Sequence, residues 1–72
     1  AIAESMASGK AIVATKTVGA EELLIDNETG KLVSIGNVEQ IAEAVGQFLN
    51  DENLRRKFGE NARGRAKEFF SL

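Results

Sequence analysis

An α/β fold with parallel strands is what this 72-residue sequence predicts, on three observations. Two apolar runs centred on Ile, Val and Leu, AIVAT at 11–15 and KLVSI at 31–35, are too short for helices. Segments with apolar residues at helical spacing stand before, between and after them, and glycine or Asx clusters mark the junctions. Strands that alternate with helices pair in parallel through right-handed crossovers, so the two runs are expected as parallel neighbours or near neighbours in one sheet. Two strands alone do not complete a doubly wound sheet. The chain therefore reads as one unit over 1–72, about half of a Rossmann-like domain, with the missing strands upstream.

Each element has its own signal. Ile2, Ala3, Met6 and Ala7 repeat at helical spacing, and Gly9 stands where a left-handed residue ends a helix, so residues 1–8 read as a helix tail. AIVAT lacks alternation, as a strand buried on both faces does, and its ends are marked by Gly9 and Gly19. AEELLI at 20–25 favours a short helix. Asp26, Asn27, Thr29 and Gly30 form a turn cluster, and KLVSI follows as the second strand. Gly36 and Asn37 break that strand, and Asn37 with Gln40 three residues on has the pattern of a helix cap. Val38, Ile41, Val45 and Phe48 then make one apolar stripe, widened by Ala42 and Leu49. Asn50 or Asp51 can cap a last helix in which Leu54, Phe58, Ala62, Ala66 and Phe70 recur every four residues.

Composition narrows the chemistry. With 43% hydrophobic and 28% charged residues the chain is of ordinary globular type, neither disordered nor collagenous nor membrane-spanning. The absence of Cys and His removes disulfides, thiolate and imidazole metal sites and the usual general base near neutral pH, leaving carboxylates, Lys and backbone amides. The net charge of −2 divides into −4 over residues 1–50 and +2 over 51–72, too mixed for a nucleic-acid surface. No apolar run is long enough to span a membrane and no signal peptide opens the chain, so a soluble, cytoplasmic protein is expected. It begins at Ala1, without Met and inside a helical pattern, as a piece of a longer protein would.

The segment AESMASGKAIVAT places one carboxylate, Glu4, on a helix that precedes a buried strand. In open sheets, ligands bind beyond the carboxyl ends of strands, where helix amino ends also point. A carboxylate there can accept two charge-assisted hydrogen bonds from a vicinal diol such as ribose. The plainer possibility is an exposed helix residue that meets water.

ESMASGKAIVAT, with VGAEELL, DNETGKLV, IGNVEQIAEAV and DENLRRKFGENAR after it, resembles the carboxyl-terminal portion of retaining glycosyltransferases of family 4, which have the GT-B fold. The likeness runs in register from residue 1 to about residue 67. It implies the donor-binding part of a metal-independent enzyme that moves a sugar from a nucleotide diphosphate sugar to an acceptor hydroxyl, with no separate cofactor. The family's acidic signature is a pair of glutamates with seven residues between them. Glu4 matches the second, whose implied role is to hold the donor ribose, and the first would fall before Ala1. No complete catalytic set is therefore expected within the chain, and the 72 residues alone should be inactive. The competing class is a non-catalytic α/β interaction module or a degenerate paralogue.

Three positions depart from the family pattern. Ala11 stands where Pro is usual, and Glu21 stands where Pro is frequent. Val18 replaces the first glycine of a Gly-Gly turn, leaving Gly19 as the remaining turn residue near the donor site. Gly19 reads equally as a turn residue with positive φ, and Glu22, which matches the glutamate after that turn, as a charge favoured by a helix start. The basic run Arg55–Lys57 offers charge to a phosphate or an anionic membrane surface, but Asp51, Glu52 and Glu60 flank it and a solvated helix face is expected. Phe69 and Phe70 are expected in the core or at a docked chain end rather than as an interaction patch. With its neighbours absent, the sheet should expose an edge through which the chain self-associates.

Overall fold

The computed structural model describes residues 1–70. Helix α1 (Ile2–Ala7), strand β1 (Val13–Thr15), helix α2 (Val18–Leu23), strand β2 (Lys31–Val33), helix α3 (Val38–Asn50) and helix α4 (Glu52–Phe69) follow in the expected order. β1 and β2 form a two-stranded parallel sheet in the register Val13↔Lys31, Ala14↔Leu32, Thr15↔Val33. The architecture is that of a partial Rossmann-like unit of α/β class.

The local signals act as their chemistry requires. Gly9 takes a φ of +70° and ends the turn after α1. Thr17, Asn37 and Asp51 cap α2, α3 and α4, their side-chain oxygens accepting from the amides of Ala20, Gln40 and Leu54 at 3.1, 3.0 and 2.9 Å. The turn between α2 and β2 closes on Thr29, the one buried polar side chain among the described residues, whose Oγ1 accepts from the Ile25 amide at 2.8 Å. Asn27 there has a φ of 61°, which asparagine tolerates.

Side chains alternate across the sheet, so the register sorts the core into two parts. Ile12, Ala14 and Leu32 pack with Met6, Leu24, Ala62 and Ala66, between the sheet and the pair α1 and α4. Val33, Ala44, Phe48 and Phe58 are buried towards α3. Phe48 and Phe58 meet edge to face with ring centroids 5.1 Å apart, and the Lys31 ammonium lies 5.2 Å from the Phe58 centroid. Polar side chains of α4 hold the earlier elements by their carbonyls. Arg65 donates to Leu23 at 2.6 Å, Asn61 donates to Glu28 at 2.9 Å, and Arg55 donates to Phe48 and, at 3.2 Å, to Leu49.

Several sequence expectations are corrected. The short helix starts at Val18 rather than residue 20, because Thr17 supplies the cap, and Gly19 therefore lies inside it with no positive φ. In α3 the buried residues are Ala44 and Phe48, whereas Val38 and Leu49 are exposed, because the sheet and α4 meet only one side of that helix. Phe69 and Phe70 are half exposed, since α4 runs past the elements that would cover them. Arg55 is not a purely solvated charge, because its guanidinium reaches back to the end of α3.

Candidate functional site

The site face follows from chain direction. α1 leads through the Gly9 turn to the amino end of β1, so the amino end of α1, which carries Glu4, lies at the carboxyl end of the sheet. β1 delivers Thr15, Lys16 and Thr17 to the same end, and the first turn of α2, with Val18 and Gly19, starts there. β2 delivers Ser34, Ile35, Gly36 and Asn37 beside them. The topology thus brings Glu4, Gly19 and the Asn37 cap to one end of the molecule, and α1 touches α2.

Glu4 projects into solvent, its side chain 92% exposed. An exposed, acceptor-only group of this kind is free to take donors from a ligand. Gly19 is exposed, and a Cβ built on it would meet nothing within 4 Å, so no packing demand accounts for a glycine at that place. Glu22 is exposed in the last turn of α2, not at its start, and its backbone carbonyl accepts from Arg65 at 3.3 Å. The macrodipole gives it no support there.

An open cleft of about 570 Å³ lies at this end, lined by Ser34, Ile35, Gly36, Asn37, Val38 and Glu39; Glu4 and Gly19 do not line it. Gly36 has a φ of +78°, which permits the tight turn from β2 into α3. Lys16, directly after β1, is an exposed cation at this face that the sequence reading passed over. The available signal was a basic residue closing the AIVAT strand, which is half buried rather than buried on both faces as its lack of alternation suggests. Among the described residues there is no group of three or more Asp or Glu placed to hold a metal ion, and no helix is long and apolar enough to cross a membrane.

Such a face, at the carboxyl end of a parallel α/β sheet, is where this class of fold binds its ligands. The chain belongs to the glycosyl transferases group 1, whose family model matches residues 1–65. It is 35% identical over 68 residues to the capsular polysaccharide biosynthesis glycosyltransferase CapM of Staphylococcus aureus, covering 94% of this chain and 18% of that protein. It is 36% identical over 67 residues to N-acetyl-alpha-D-glucosaminyl L-malate synthase of Bacillus anthracis, covering 93% and 18%. To the MMP alpha-(1->4)-mannosyltransferase of Mycolicibacterium hassiacum it is 36% identical over 69 residues, covering 94% and 17%. The chain thus spans less than a fifth of the length of these relatives. No solved structure gives a significant match.

Proposed function

We propose that the chain is the nucleotide-sugar-binding part of a retaining, metal-independent glycosyltransferase of family 4, which transfers a sugar from a nucleotide diphosphate sugar to an acceptor hydroxyl. The observation that carries this reading is the exposed Glu4 carboxylate at the carboxyl end of the sheet, on the same face as Gly19. Glu4 would accept hydrogen bonds from both ribose hydroxyls of the donor and so fix the nucleoside. Gly19, which leaves open space above the first turn of α2, would let the donor approach the backbone. The group that acts at the donor sugar and the acceptor site would come from outside these residues. Purified 72-residue chain should accordingly turn over no nucleotide sugar, and release of nucleoside diphosphate above the uncatalysed rate would refute this.

Calorimetric titration of nucleoside diphosphate into the enzyme that contains this chain tests the ribose role. Glu4→Gln retains size and helix propensity but removes the charge. The loss of charge-assisted bonds should cost about 1–3 kcal/mol of binding. At about 1.4 kcal/mol per decade this is roughly a tenfold or greater weakening. Thermal stability without ligand should be unchanged, because the side chain packs against nothing in the core. Equal affinities within about twofold would take Glu4 out of the site.

A further inference from the structure

Side-chain bonds to the backbone are mostly local in this chain. Asp26 and Gln40, for example, cap the outer edge of β2, accepting from the amides of Leu32 at 2.8 Å and Ser34 at 2.7 Å, each six residues away. Arg65 is of another kind. From the last turns of α4 its Nε donates to the Leu23 carbonyl at 2.6 Å and its Nη2 to the Glu22 carbonyl at 3.3 Å, across 42 and 43 residues. The guanidinium is seated on the Phe69 ring, 4.5 Å from its centroid, one turn further along the same helix. Phe69, half exposed and outside the core, thereby has a defined partner.

Both carbonyls belong to the last turn of α2, where a helix leaves its final acceptors without intrahelical donors. The Leu24 amide takes the Ala20 carbonyl at 2.8 Å, and Arg65 takes those of Glu22 and Leu23. Its positive charge also lies at the negative end of the peptide dipoles. With six residues, α2 is too short to persist by propensity, so it depends on what holds it. Those supports are the Thr17 cap at the start, the burial of Ala20 and Leu24, and the Arg65 guanidinium at the end. The first turn of the same helix carries Gly19, on the carboxyl face of the sheet. α2 is only about 9 Å long, so a tilt at its held end displaces Gly19.

We propose that Arg65, seated on Phe69, is a positioning residue for the nucleotide sugar, fixing α2 so that the backbone at Gly19 stands where the donor reaches it. The inference rests on the reading of Gly19 as part of the donor site. Arg65 acts through α2 and not by contact with substrate. Charge alone does not suffice for this role. A lysine ammonium lacks the planar fork that serves two neighbouring carbonyls while stacking on a ring.

Donor kinetics and calorimetric titration of nucleoside diphosphate, both on the enzyme that contains this chain, test the role. Arg65→Met should raise the KM for the nucleotide sugar and weaken nucleoside diphosphate binding, each by about threefold or more. The acceptor KM and the kcat at saturating donor should stay at wild-type values, because bound donor restores the place of α2. A merely structural role predicts the opposite split, a kcat lowered with the folded fraction and an unchanged donor KM, and that result refutes positioning. If Arg65→Met does not fold, Arg65→Lys decides: its donor KM should also rise, and a wild-type value overturns the proposal. Gly19→Leu separates this inference from the reading beneath it. A Cβ at Gly19 meets nothing within 4 Å, so the variant should fold and should weaken donor binding by obstruction. Weakened binding in Gly19→Leu with wild-type binding in Arg65→Met leaves the donor site standing and removes Arg65 from it. Wild-type binding in Gly19→Leu removes the donor reading of α2, and the proposal falls with it.

Discussion

Gly59 lies inside α4, where glycine is less favourable than alanine by about 0.5–1 kcal/mol, so another requirement must hold it there. The requirement is the turn after α1. A Cβ at Gly59 would overlap the Gly9 carbonyl oxygen and come within 2.9 Å of its carbon. Gly46 in α3 and Gly64 in α4 have nothing within 4 Å of a built Cβ. One substitution should therefore act with opposite signs at these positions. Gly46→Ala and Gly64→Ala should each stabilise by about 0.5–1 kcal/mol, through propensity and the unfolded chain. Gly59→Ala should destabilise by about 1–3 kcal/mol, because backbone and not a movable side chain blocks the new methyl. Urea unfolding of the three variants measures this, and a stabilised Gly59→Ala chain would show that α1 and α4 do not approach so closely. The sequence made the bend at Gly9 legible, since a glycine after an apolar helical repeat has one usual meaning. It could not make Gly59 legible, because the constraint comes from a residue far upstream in the chain.

At the scale of elements, the legible features are those encoded within a few residues. Asn37 and Asp51 cap where the spacing indicates, and the two apolar runs become strands. What the sequence hides is the choice of partner face. α3 carries apolar residues around much of its circumference, and burial of Ala44 rather than Val38 or Leu49 is decided by where the sheet and α4 lie. The carbonyl bonds of Asn61 and Arg65 and the edge caps of Asp26 and Gln40 are equally silent in one dimension, since a polar residue on a helix or turn reads as solvated. That the helix carrying Glu4 starts at the carboxyl end of the sheet was legible, because alternation of helix and strand fixes which helix ends share a face. Asp51 offers a test at this scale, since it both follows α3 and caps α4. Asp51→Ala should cost about 1 kcal/mol, and Asp51→Asn, which can still accept from the Leu54 amide, should recover most of it. Thermal unfolding of the pair measures the difference; equal losses in both would assign the effect to charge and not to the cap.

For the molecule as a whole, the small core sets the margin. A chain of this length buries roughly 60% of the surface it exposes when unfolded, and a stability of about 0.05–0.15 kcal/mol per residue leaves only several kcal/mol in total. Met6 is the one large side chain that is fully buried among the described residues, and it packs with Ile12, Leu24, Ala62 and Ala66 where α1, α4 and the sheet meet. Truncation there removes contacts to every layer, and Met6→Ala should cost about 2–5 kcal/mol. That is a large share of the total, so the variant should show a substantial unfolded population at room temperature. Leu49 is also a large aliphatic residue at helical spacing, but it is 71% exposed. Leu49→Ser should shift stability by less than about 0.5 kcal/mol, as surface substitutions do. The contrast separates this fold from the stripe read in the sequence, in which Leu49 widens the buried face of its helix. Guanidinium unfolding of both variants decides it: comparable losses would place Leu49 in the core and require α3 to be turned about its axis.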